Sequence, residues 1–297
     1  MNESHMRNGC FSTQLSLKLW PWFRSISHIA APHDSIHIGS YRSVTRFALL
    51  LALVWVIISP SVALAESPTP FRQFLPFTIM SSAGCTPTGA SYETLSVNPP
   101  PTDRPAADHP DLNLSLRGYT LSLAPADYLW INGPTDPHAP LLSTLFAPAR
   151  RPGIEKAWRI YDWDWAQNQR SAPIQDPPVT LISLDVKPSE ELHLPDSGYD
   201  IGQGFEALVL YAETHRITLK YTREDNVVWG YTLHLENVCV DPNLLALYRA
   251  MDRAGRQQLP ALRPGQPFAR AEETPLGLAI RDTGRFMDPR SIKDWWQ

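Results

Sequence analysis

From Lys156 onward, polar and apolar residues in this chain change places at every second position, not every third or fourth. Trp158-Arg-Ile-Tyr-Asp-Trp-Asp-Trp165 puts Tyr161, Trp163 and Trp165 on one face of an extended strand, with Ile160, Asp162 and Asp164 on the other. Ile217, Leu219 and Tyr221 alternate with Thr218, Lys220 and Thr222, and Val227 to Leu235 continues the pattern after a turn at Glu224-Asp-Asn226. Val179 to Val186 is rich in β-branched residues, and Ala207 to Ala212 is a short apolar run. Leu262 to Ala271, with a turn at Pro264-Gly265, and Leu276 to Arg281 read as further short strands. Helical spacing occurs once with clear ends: Asp241 caps, Pro242 suits the first turn, Leu244, Leu247, Tyr248 and Met251 share a face, and Gly255 suits the end. No period of 20–50 residues recurs. The expected fold is mainly β, an antiparallel β-sandwich or barrel with one inserted α-helix. The terminal Trp295-Trp296 pair is expected to dock on its body.

A different organisation precedes this domain. Arg42 and Arg46 lead into the uncharged run Phe47 to Ile58, followed by Ser59-Pro60-Ser61 and Ala63-Leu64-Ala65. A basic flank, a short apolar core and small residues at a cleavage site are the parts of a secretory signal. The run is shorter than the roughly 20 residues that span a membrane. Residues 46–65 therefore read as a signal peptide cleaved after Ala65, or alternatively retained as an anchor. Either way the rest lies outside the cytoplasm, and membrane contact runs only through this segment. Residues 1–45 are long for the start of a signal and show no periodicity, so they read as unstructured or as a start site assigned too far upstream. Proline stands at 29 of 297 residues, about twice ordinary usage. Its clustering at Asn98 to Pro110 makes residues 66–110 a semi-rigid spacer ahead of a β-rich domain over 111–297.

Without residues 1–65 the chain keeps 21 of its 26 basic and 28 of its 30 acidic residues. That acidic balance argues against a nucleic-acid partner, which needs a basic surface to meet phosphates. Only Cys85 and Cys239 remain, and in an oxidising compartment two cysteines are expected to form one disulfide. Ser82-Ala-Gly-Cys85 also has the outline of a lipoprotein acylation site, which leaves lipidation of Cys85 as the alternative.

Four segments in order carry a family likeness: Asp196-Ser-Gly-Tyr-Asp-Ile-Gly202, Tyr231-Thr-Leu-His-Leu235, Leu262-Arg-Pro-Gly-Gln-Pro-Phe-Ala-Arg-Ala271, and Leu276 through Asp288-Pro289. Residues 196–289 thereby resemble the core of the lysostaphin-type zinc endopeptidases, which cut peptide cross-links in peptidoglycan. The resemblance implies a β fold and a zinc site held by a histidine, an aspartate four residues on, and the second histidine of His-x-His. Here those positions fall on Asp196, Asp200 and Gly277, with Pro275 at the first His-x-His position. His234 matches the histidine that supports the family's transition state. Zinc takes imidazole, thiolate and carboxylate ligands, so two of three ligand positions do not match. No cofactor is therefore expected. Zinc remains the alternative, through a shifted set of His193, Asp196 and Asp200.

The resemblance and the signal together imply an exported, non-catalytic cell-envelope protein that binds cell-wall or surface glycan or an envelope protein, or serves as a scaffold. An active zinc metalloendopeptidase with unusual ligands is one alternative. A second reading rests on Tyr161-Asp-Trp-Asp-Trp165. Its aromatic face can stack on sugars while Asp162 and Asp164 accept hydroxyls, and two carboxylates can also hydrolyse a glycosidic bond. Gly-x-Ser-x-Gly and Cys-x-x-Cys are absent from the sequence, which removes the hydrolase elbow and the dithiol redox motif.

Overall fold

The structure, a computed structural model, describes residues 84–297. The expectations for the 1–45 extension, the 46–65 signal and the start of the spacer lie outside the described residues.

The domain is mainly β and antiparallel. Its strands are β1 (Glu93–Ser96), β2 (Tyr119–Leu121), β3 (Ile154–Asp164), β4 (Gln169–Pro173), β5 (Leu181–Leu184), β6 (Glu191–His193), β7 (Ala207–Glu213), β8 (Arg216–Lys220), β9 (Tyr231–Glu236), β10 (Val238–Val240), β11 (Gln258–Leu262), β12 (Pro267–Ala271), β13 (Leu276–Asp282) and β14 (Arg285–Phe286). The large sheet has eleven strands and runs β1-β11-β7-β8-β9-β13-β5-β3-β2, with β14 on β13 and β4 on β3. A second sheet, β10-β12-β6, contributes Leu192, Val238, Val240 and Phe268 to the main core. The large sheet supplies Leu208, Leu210, Leu219, Leu233, Leu235, Leu278 and Ile280 to that same core.

Three helices accompany the strands: α1 (Leu114–Arg117), α2 (Pro242–Arg253) and α3 (Ile292–Trp295). The inserted helix is α2. Asp241 accepts the Asn243 N–H at 2.8 Å and Pro242 sits in the first turn. Leu244, Leu245 and Tyr248 are buried, and α2 packs on β11 and β7. The two other helices are single turns that hydrophobic periodicity cannot register. Trp295 and Trp296 of the C-terminal turn are buried, their indole N–H groups donating to the carbonyls of Asp288 and Pro289.

Three local expectations change. The chain joins the domain well before residue 111: the Thr88 N–H and hydroxyl donate to Asp241, and β1 pairs with β11 through Glu93↔Ala261 to Ser96↔Gln258. Leu95 and Val97 enter the core, so the proline stretch after Asn98 is a surface connection within the fold. Second, the strand expected from Val227 begins at Tyr231. Asn226 accepts the Val228 N–H and Gly230 adopts φ +58°, which keeps residues 221–230 in a loop with Val228 and Trp229 exposed. Third, β3 ends at Asp164, and a register shift separates Tyr161 from Trp163. Trp165 is therefore a turn residue, and the three aromatics do not form one strand face.

The disulfide is present: Cys85 is bonded to Cys239, 154 residues away and next to β12, so it fastens the first described residues to the small sheet.

Candidate functional site

Antiparallel partners directly opposite each other point to the same side of a sheet. On β8, β9 and β13 the pairs are Arg216↔Glu236↔Gly277, Thr218↔His234↔Ala279 and Lys220↔Thr232↔Arg281. One face of the central sheet is thus polar, while the opposite face carries the leucines of the core. Alternation alone would leave this polar face to solvent. Instead Thr218, Lys220, Thr232, His234, Glu236 and Arg281 are all buried.

Part of the cover is the chain's own segment from Ala106 to Arg117. Leu112 and Leu114 are fully buried, and Leu114 packs with Ile160, Leu181, Ala279 and Phe286. The Thr218 hydroxyl donates to the Leu112 carbonyl at 2.7 Å. Asp111 accepts from Arg117 and from Arg281, each at 2.8 Å. Burial by itself would raise the Asp111 pKa, but the two guanidiniums hold it down at about 2.

His234 lies beneath this cover. Thr218 has one hydroxyl hydrogen, which goes to Leu112, so the 3.0 Å contact between Thr218 Oγ1 and His234 Nδ1 requires the imidazole to donate from Nδ1. His234 Nε2 is then a bare acceptor, without a partner among the described residues. Burial, with Arg281 nearby, lowers the His234 pKa to about 3, so the ring is neutral. Because the folded value lies below that of the unfolded chain, the unfolded chain takes up the proton first. Stability should therefore fall as pH drops through 6.5 toward 3, by about 1 kcal/mol between pH 6.5 and 5.5. Denaturant midpoints at those two pH values check this. An H234L variant with the same slope as the parent would refute it.

The remaining sequence candidates lie elsewhere. His193 belongs to β6 in the small sheet, with its Nε2 3.2 Å from Glu191. Asp196 is exposed, and its N–H donates to the Thr144 hydroxyl. Asp200 is exposed and accepts the Gly202 N–H at 2.7 Å, closing a local turn. Among the described residues, no three His, Cys, Asp or Glu side chains form a group able to hold a metal. Gly277 supplies no ligand. A Cβ built there would sit 3.0 Å from the Glu236 Cβ, so even a histidine at 277 would require its neighbour to move. The residues at these positions do not fit zinc.

The Tyr161–Trp165 group is also divided. Asp164 accepts the N–H groups of Ala166 and Gln167, capping the β3–β4 turn. Asp162 accepts the Trp163 N–H and meets Arg117 at 3.4 Å. Trp165 is half exposed, edge-on to His109 with Arg104 over its ring.

At the Arg281 end of the covered face the structure opens into a pocket of about 420 Å³. Arg117, Arg281, Arg285, Asp162 and Asp176 supply its charges, and Phe286, Ile174, Pro177 and Met287 its apolar lining. Sequence reasoning reached only Asp162 of this set. Arg281 was visible as a charge at the end of an apolar strand. Asp111 and Arg117, however, come from a segment about 165 residues distant, and no local pattern links them.

No family model, no curated protein and no solved structure matches the chain.

Proposed function

We propose that this chain is an exported, non-catalytic domain of the cell envelope, a degenerate relative of the lysostaphin-type endopeptidases that binds cell-wall glycan without cutting it. One observation carries the reading. The sheet face holding His234 and the Gly277 position, two of the positions the resemblance assigns to the site, is polar in residue type yet buried, with residues 106–117 across part of it, while Asp196 and Asp200 lie off it. A polar sheet face buried beneath a short segment is costly to build from scratch, because each group needs a partner. Two of them, Thr232 Oγ1 and His234 Nε2, have none among the described residues. Such a layer fits a groove lined for chemistry that has been closed over. The neutral histidine, the glycine at a ligand position and the inward ion pairs all favour binding over hydrolysis. Export is read from residues 42–65 and sets the compartment in which such a binder would work.

The test has three readouts on the purified protein. Atomic absorption should find no stoichiometric zinc, a peptidoglycan zymogram should show no clearing, and the protein should sediment with insoluble cell wall. Stoichiometric zinc with chelator-sensitive clearing would establish the metalloendopeptidase instead. Failure to sediment would remove the cell-wall ligand from the proposal.

A further inference from the structure

We infer that the pocket beside β14 is a binding site for a short peptide with free amino and carboxylate termini. The inference rests on the pocket's own groups and does not depend on the cell-wall reading. At about 420 Å³ the cavity lies within the size range of small-ligand sites, roughly 300–1,000 Å³. Its inner wall is the Phe286 ring, with the Arg281 and Arg117 guanidinium carbons 4.4 and 5.8 Å from the ring centroid. Both arginines are almost wholly buried and share a single buried carboxylate, Asp111. Among the described residues a second carboxylate, Asp162, meets Arg117 at 3.4 Å and is two-thirds exposed. The remaining N–H groups of the two arginines donate to the carbonyls of Pro110, Tyr161 and Gly284, so two guanidiniums stand against two carboxylates and the wall is an internally satisfied network.

Two further groups are uncommitted. Arg285 and Asp176 are exposed lining residues that make no ion pair and no side-chain hydrogen bond among the described residues. The pocket thus offers unpaired charges of both signs over an apolar lining of Ile174, Pro177, Phe286 and Met287. A purely apolar guest would strip water from the charges and return nothing. A simple anion would suit the arginines but face Asp162 and Asp176. A simple cation meets the converse conflict. A short peptide answers both uncommitted groups at once: its carboxylate faces Arg285, its ammonium faces Asp176, and its side chains cover the apolar lining.

Calorimetric titration of the full chain with the dipeptide alanylalanine tests the assignment, alongside its N-acetylated and C-amidated forms. The free dipeptide should bind saturably, and each capped form more weakly. Both Arg285 and Asp176 are exposed, so R285Q and D176N should fold like the parent. R285Q should weaken the free dipeptide about fivefold and become insensitive to amidation. D176N should weaken it similarly and become insensitive to acetylation. The assignment is overturned by an absence of saturable heat, by capped peptides that bind as well as the free one, or by variants that bind like the parent. Sedimentation with cell wall samples the whole surface, so it can fail while this binding holds, and the reverse.

Discussion

Opening the Cys85–Cys239 bridge should lower the thermal unfolding midpoint by roughly 10–20 °C. The bond spans 154 residues, and loop-closure entropy for a crosslink of that span is about 5 kcal/mol. At about 2–4 °C per kcal/mol for a domain of this size, that converts to the stated shift. The non-covalent attachments of the first described residues would moderate it. Thr88 donates twice to Asp241, and β1 stays paired with β11. The comparison is between oxidised protein and a C85S/C239S double variant, which avoids reductant and mixed disulfides. Equal midpoints would mean that the Thr88–Asp241 bonds and β1 suffice to hold the attachment. If the domain depends on this bond, folding belongs in an oxidising compartment, which agrees with the export read from residues 42–65.

Replacing Asp111 by Ala should cost about 3–5 kcal/mol, the range for removing one partner of a buried ion pair. Its carboxylate accepts from Arg117 and Arg281, and both guanidiniums would remain buried without it. The same contact fixes a pH dependence. The folded pKa of Asp111 is about 2, below its ordinary value of 3.8. Its contribution is therefore complete above pH 4 and is lost as pH falls toward 2, for a total of roughly 2 kcal/mol. Urea unfolding of D111A at neutral pH measures the first effect. Parent and variant curves should converge in acid. A D111A variant within 1 kcal/mol of the parent would show that the cover over the polar face is held by Leu112 and Leu114 alone. Loss of Asp111 should also disturb the pocket beside β14, since it removes the carboxylate that both arginines of its wall share.

Much of the fold was readable because its signals are local. The α2 boundaries follow from Asp241 and Pro242, whose capping chemistry needs only neighbouring residues. Strands β7, β8 and β13 follow from runs of apolar or alternating residues. Errors arose where a turn or a distant partner overrode the pattern. The Asn226 turn and Gly230 delay β9, and the capped turn at Asp164 removes Trp165 from β3. The spacer was misread at its near end because Leu95 and Val97 become core residues only when β11 lies beside them.

The site shows the same division more sharply. Residue types alone determined that Pro275 and Gly277 cannot ligate a metal, because neither has a side chain able to donate electrons. Alternation alone determined that Thr218, Lys220, Thr232 and His234 are set apart from the leucines of the core. Whether that polar face meets water or protein was not in the pattern, since a two-residue period specifies two sides and not what covers either. Only the tertiary structure decided it, by laying residues 106–117 across the sheet and pairing Asp111 with Arg281, 170 residues away. Burial then keeps His234 neutral, from which the expected acid sensitivity follows, and leaves the pocket beside β14 as the open end of that face.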